Sequence, residues 1–207
     1  LGDVYKRQGH GRTSAGRAAS EMNRAGSGRR SQRRKEYEVA SDAIETLLAK
    51  QEIYELACMY SRGLDRLDPD ALRSVFFEDA VCDYGFYHGP PGAFIEFAMQ
   101  ALGGHAANQH LVGNALIEVE GDEAVGEIYF QAYHKVMGES GFEDLIIAGR
   151  YIDRYEKRGG VWKIAYRSER NDWSRTSPTH DVYFEQAPDG LRGSRLDDAV
   201  YDRSRRR

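Results

Sequence analysis

Between Ser41 and Gly63, apolar residues recur at three- and four-residue steps: Ile44, Leu47, Leu48, Ile53, Leu56, Ala57 and Tyr60. That spacing predicts an amphipathic helix of about five or six turns, with Ser41 and Glu45 resembling its start and Gly63 marking its end. Asp68-Pro69 then supplies an N-cap and a first-turn proline for a second, short helix through Ala71, Leu72, Val75 and Phe76. A strand fits residues 80–87, Gly89-Pro90-Pro91-Gly92 breaks the chain, and a third helix is expected over 93–102.

Beyond Gly104 the period changes to that of strands, in long runs near 109–119, 124–137, 144–156 and 161–170. The separators Glu120-Gly121-Asp122-Glu123 and Arg158-Gly159-Gly160 are short and glycine-containing, as antiparallel hairpins require. Helices gathered at the start and hairpin-connected strands after them predict an α+β fold, with helices covering one face of a curved antiparallel sheet. The period itself does not distinguish a cone from a flat sheet. The text turns polar after Trp173, so 176–207 reads as a C-terminal extension, frayed over 197–207.

Composition adds a division that the net charge of −4 conceals. Residues 1–35 hold ten Lys or Arg against Asp3 and Glu21, which leaves the rest of the chain at −12. An acidic body offers no nucleic-acid footprint. Residues 1–40 show no apolar period and are expected to be an unstructured basic tail. Its opening LGDVYKRQ resembles junction sequence, with Met22 a candidate start. No run approaches the length of a membrane span, and a soluble, cytoplasmic protein is expected. Cys58 and Cys82 lie in apolar surroundings and read as reduced core residues.

Several motifs together resemble a known family. They are Tyr60-Ser61-Arg62-Gly63-Leu64-Asp65, Phe76-Phe77-Glu78-Asp79-Ala80, Gly89-Pro90, His110-Leu111-Val112-Gly113-Asn114, Gly149-Arg150-Tyr151-Ile152-Asp153-Arg154-Tyr155-Glu156 and Gly160-Val161-Trp162-Lys163-Ile164. Over most of 42–175 the chain is similar to SnoaL-like proteins of the nuclear transport factor two-like superfamily. The likeness is greatest to the subgroup of bile acid 7-alpha-dehydratase, hexachlorocyclohexane dehydrochlorinase and scytalone dehydratase. It implies a cone-shaped, strongly curved sheet with N-terminal helices enclosing a pocket. It also implies an Asp at the end of the first helix supporting a His on the strand after the third helix, places taken here by Asp65 and His110. The family's Arg falls on Arg167. Where the dehydrochlorinase has Lys, this chain has Tyr60, as the bile acid dehydratase does, which favours dehydration over dehalogenation.

The residues suit that chemistry. A neutral imidazole at His110 accepts a proton near neutral pH, and a carboxylate on its other nitrogen fixes the tautomer. Tyr60 offers a phenolic donor, and Arg167 a permanent cation for an oxygen that gains charge. Each has a plainer reading: His110 and Tyr60 as core residues, Asp65 as a turn cap, Arg167 as a surface ion-pair partner with Arg170 in its stead. Strict alternation puts Arg167 opposite Trp162, Ile164 and Tyr166, leaving its face open, and groups His110 with Val112, Asn114 and Leu116. Tyr84, His134 and Trp173 are candidate pocket walls. His105 and His110 lack a third ligand at metal spacing, and no phosphate loop, dinucleotide fingerprint or nucleophile elbow is present.

The expectation is a lyase of dehydratase type, or an isomerase, needing no cofactor or metal and acting on a hydrophobic cyclic, polyketide- or steroid-like molecule. The competing expectation is a non-catalytic ligand-binding or assembly module on the same fold. An open sheet with an apolar outer face further predicts a homodimer or homotrimer, with no nucleic-acid or membrane partner.

Overall fold

The computed structural model describes residues 14–202, with side chains from Arg34 onward. Residues up to Leu47 make up one compact unit and those from Leu48 the other. Helix α1 is assigned over Ser14–Arg66, so residues 14–40 are helical rather than unstructured. Arg and Ala, the commonest residues of the segment, cost a helix little. Ser41, expected as a start, lies inside the helix and reaches one turn on, from its Oγ to Glu45. All described side chains from Arg34 to Leu48 are exposed, including Ile44, Leu47 and Leu48, which the sequence grouped with the core. The first 13 residues lie outside the described range.

In the second unit, the face of α1 formed by Ile53, Ala57, Tyr60 and Leu64 is buried. The helix runs past Gly63 to Arg66. Gly63 is instead a point of close approach, since a Cβ there would meet the Leu72 side chain at 2.7 Å. Asp68 caps α2 (Pro69–Val75), its carboxylate accepting from the Asp70 and Ala71 amides, with Pro69 in the first turn. Strand β1 (Phe76–Asp83) begins at Phe76, which the sequence had assigned to the helix. A two-residue β2 (His88–Gly89), α3 (Pro91–Gly103) and four long strands follow: β3 (Ala107–Glu120), β4 (Glu123–Gly138), β5 (Gly141–Arg158) and β6 (Val161–Pro178).

The strands form a curved, unclosed sheet of order β2-β1-β6-β5-β4-β3, antiparallel except where β1 runs parallel to β6. Gly121, Gly159 and Gly160 take the positive φ that the tight hairpin turns demand. The core joins α1 and α3, through Phe94, Ile95, Ala98 and Leu102, to Ile128, Phe130, Ala132, Tyr151 and Ile164 on the sheet.

Three breaks in register, one on β3 and two between β5 and β6, decide which side chains of β3 and β6 face that core. On β3, Val112 pairs with Phe130 but Ala115 with Ile128, an extra residue at Gly113-Asn114. Asn114 and Leu116 are therefore exposed, and Ala115 and Ile117 continue the inner row of His110 and Val112. On β6, Ile164 pairs with Tyr155 and Tyr166 with Arg154, so Ala165 is the extra residue. It carries Arg167 to the same side as Trp162 and Ile164, all three buried. A second β6 break makes Asp172 the extra residue, pairing Trp173 with Ala148. Gly149 sits opposite this break, where the Arg170 carbonyl leaves no room for a Cβ.

The C-terminal extension contains α4 (Tyr183–Gln186) and a 3-10 turn at Ala199–Tyr201. Among described residues the stretch expected to fray is tied down. Asp198 accepts from the Ser194 and Val200 amides and pairs with Arg66, while Arg62 lies 4.7 Å from the Tyr201 ring centroid. No described helix is long and apolar enough to cross a membrane. Cys82 is buried, but Cys58 is exposed, contrary to its assignment to the core.

Candidate active site

Asp65 stands near the end of α1 and His110 near the start of β3, 45 residues later. His110 Nδ1 lies 2.7 Å from Asp65 Oδ1, and the His110 backbone N–H donates to both carboxylate oxygens at 2.9 and 3.0 Å. Both side chains are nearly enclosed, at 6% and 11% exposure. A carboxylate facing Nδ1 keeps the ring proton there and leaves Nε2 as the acceptor. Arg195 of the extension links the end of α1 to the turn before β3, donating to the Asp65 carbonyl at 2.8 Å and to the His105 carbonyl at 3.1 Å.

A second histidine, His134 on β4, is buried beside the first, with ring centroids 5.4 Å apart. Asn108 organises this corner. Its Nδ2 donates to the Leu102 carbonyl, so its Oδ1 is the acceptor for His134 Nδ1 at 3.0 Å and His105 Nδ1 at 2.8 Å. Burial, followed by the neighbouring His110 and His105, lowers the His134 pKa to about 4, so this imidazole is neutral at ordinary pH.

These residues open onto a cavity of about 180 Å³. Its apolar wall consists of Leu64, Phe86, Phe94, Phe97, Phe130 and Ile147, and its polar groups are Tyr60, Tyr84, His110, His134, Tyr151 and Glu169. Tyr60 and Tyr84 hydroxyls lie 2.8 Å apart, and burial pushes both phenols above their ordinary pKa, so both remain neutral donors. Burial likewise raises the Glu169 carboxyl, against the opposing pull of an Asn171 hydrogen bond and the nearby His110 and Arg167. A larger recess of about 680 Å³, lined by Glu118, Glu120, Glu123 and Arg154 among others, contains none of the candidate site residues.

Arg167 is fully buried but is not among the cavity-lining residues. It forms a two-pronged ion pair with Asp153, at 2.8 and 2.7 Å, which also accepts from the Tyr155 hydroxyl. Burial works against its charge and Asp153 outweighs it, so its pKa rises. The guanidinium lies 4.2 Å from the Tyr60 ring centroid and 4.3 Å from that of Tyr151. Its Nη1, which has no hydrogen-bond partner among described residues, is left to these π faces. Arg167 therefore reaches the cavity through two tyrosine rings rather than directly.

Of the sequence-predicted residues, Tyr60, Tyr84, His110 and His134 line one cavity, Asp65 stands behind His110, and Arg167 stands behind Tyr60. Trp173 is not part of it. The Asp172 break removes it from the inner row, and it is 51% exposed. Arg170, the alternative cation, is exposed and bonds the Ser168 hydroxyl at 2.6 Å. Sequence reasoning missed Asn108 and Glu169, although each is two residues from a singled-out position, His110 and Arg167, and so shares its face.

The model of the SnoaL-like domain family matches residues 45–168. An uncharacterized protein of Mycobacterium tuberculosis is 27% identical over 131 residues, covering 61% of this chain and 88% of its own length. Among solved structures, a scytalone dehydratase candidate from Novosphingobium aromaticivorans superposes with a TM-score of 0.57 at 22% identity, covering 74% of this chain and 97% of its own. Hexachlorocyclohexane dehydrochlorinase type 3 from Novosphingobium barchaimii gives 0.56 at 23% identity, covering 68% and 96%. At such identities the two structures share the fold with this chain. The family match extends from α1 to β6 and includes every residue of the cavity wall except Glu169, and on it the chain belongs to the SnoaL-like domain family.

Proposed function

We propose that the protein is a cofactor-independent lyase of dehydratase type, which removes a proton beside a carbonyl of a small, largely apolar ring and expels water. The observation that carries this reading is the Asp65–His110 dyad at the wall of an aromatic cavity. His110 Nε2 takes the proton, and Asp65 stabilises the imidazolium that forms. Of the paired Tyr60 and Tyr84 hydroxyls, one O–H is spent within the pair and the other is free for a ligand oxygen that gains charge. The Arg167 charge on the Tyr60 ring strengthens that donor. The elimination chemistry named for the two solved neighbours is in line with this reading.

Size narrows the ligand. A cavity of about 180 Å³ exceeds only slightly the roughly 150 Å³ that houses benzene, so a single substituted ring suits it better than a steroid nucleus. The test is turnover of 3-hydroxycyclohexanone, followed as formation of the conjugated enone. The wild type accelerates the reaction, and His110→Ala loses about 10²–10⁴-fold. Equal rates for the two proteins would remove His110 from the chemistry.

We also propose self-association through the outer face of the sheet, where Leu111, Leu116, Val125 and Ile152 are exposed.

A further inference from the structure

Elimination of water needs two proton transfers, and the dyad accounts for one. A base that takes the carbon-bound proton must be matched by an acid, because hydroxide is a poor leaving group. Glu169 is the one carboxyl among the cavity-lining residues, on β6, three strands from the His110 strand in sheet order. The Ala165 break sets it on the inner row with Arg167, and its pairing partner on β5 is the cavity residue Tyr151. It belongs neither to the Asp65–His110 dyad nor to the Tyr60–Tyr84 pair. We propose that Glu169 is the acid partner of His110, delivering a proton to the departing hydroxyl oxygen of the ligand.

The groups around Glu169 support that role. His110 on β3 and Arg167 on its own strand favour the carboxylate, as does the Asn171 hydrogen bond. Tyr60 on α1 and Tyr151 on β5 feel its charge as neutral, buried phenols. Burial outweighs these influences and raises the carboxyl's hold on its proton. One cavity thus contains an imidazole with an acceptor nitrogen and a carboxyl whose pKa burial raises, the pairing on which acid–base catalysis is built. The step balances: the C–H bond breaks with its proton passing to His110 Nε2, its electron pair becomes the new C=C bond, and the C–O bond breaks as oxygen takes the Glu169 proton. Water leaves, and transfer of the imidazolium proton to the Glu169 carboxylate restores the site.

The inference rests on the dehydratase reading, and the experiment separates the two. Full-length wild type, Glu169→Gln and His110→Ala, matched for folding by thermal melts, are compared on 3-hydroxycyclohexanone and 3-acetoxycyclohexanone. Acetate departs without protonation, so an acid is needed only for the hydroxy ketone. Glu169→Gln is expected to lose about 10²-fold or more on the hydroxy ketone and less than about tenfold on the acetoxy ketone, whereas His110→Ala loses on both. Equal losses by Glu169→Gln on the two ketones, or no loss on either, overturn the acid assignment while leaving the base in place. A wild type no faster than His110→Ala on both ketones overturns the dehydratase reading itself and the acid role with it.

Discussion

Asp65 holds two groups of His110 at once, the ring Nδ1 at 2.7 Å and the backbone N–H shared between its carboxylate oxygens at 2.9 and 3.0 Å. The backbone bond fixes where β3 begins relative to the end of α1, and the ring bond fixes the tautomer. One carboxylate thus performs a structural and a chemical task. In Asp65→Asn the amide oxygen satisfies the backbone N–H, and the amide nitrogen is left facing Nδ1. The ring proton then moves to Nε2 and blocks the base. Turnover is expected to fall on the order of 10²–10⁴-fold while the thermal midpoint shifts by only a few degrees. Wild-type turnover by Asp65→Asn would remove the carboxylate from the mechanism.

The hydroxyls of Tyr60 and Tyr84 bond each other at 2.8 Å in a buried setting. Removing either one strands the other. Tyr60→Phe and Tyr84→Phe are each expected to cost about 1–3 kcal/mol, and the double variant less than their sum, because an apolar pair leaves no orphaned donor. Urea melts of the four proteins in the cycle measure this directly. Simple additivity would mean that the hydroxyls do not bond each other.

His134 makes stability depend on pH. Burial, then His110 and His105, lower its folded-state pKa to about 4, whereas the unfolded chain titrates at the ordinary value near 6.5. Between those values the unfolded state binds more protons, so the contribution is complete above about pH 6.5 and lost as pH falls towards 4. At about pH 5 the loss is on the order of 2 kcal/mol, or roughly 4–8 °C in thermal midpoint for a chain of this size. His134→Asn cannot titrate and is expected to lose that much less on going from neutral pH to pH 5. Parallel pH profiles for the two proteins would contradict the assignment.

The fold was largely legible because it depends on period. The recurrence of Ile53, Ala57 and Tyr60 marked the buried face of α1, and the glycine turns marked the hairpins. Tyr60, Asp65 and His110 were singled out through the family resemblance carried by the motifs around them, and the fold places Tyr60 and His110 on one cavity with Asp65 against the His110 ring. What was hidden is the parity of the strands. One extra residue reverses which face every later side chain occupies, and neither Ala165 nor Asp172 announces itself as that residue. Arg167 and Trp173 were therefore misplaced or left open for the same physical reason, in opposite directions. The helical course of residues 14–40 was missed for another reason, since the stretch has no apolar period to read.

The outer face of the long strands carries the exposed apolar residues Leu111, Leu116, Val125, Tyr129, Ile152 and Val161. A face of this kind is expected to be covered by a second copy. Light scattering at micromolar concentration should give the mass of a dimer or trimer, and Val125→Lys with Leu111→Lys should lower it towards one chain. A monomeric mass for the unsubstituted protein would refute self-association.

The tautomer of His110 tests the primed base without any substrate. Long-range nitrogen–proton NMR in mildly alkaline buffer, with the ring signals assigned by their loss in His110→Ala, distinguishes a protonated from an unprotonated ring nitrogen. The Asp65 contact predicts a protonated Nδ1 and an unprotonated Nε2, the acceptor that proton abstraction needs. A proton found on Nε2 instead would contradict it.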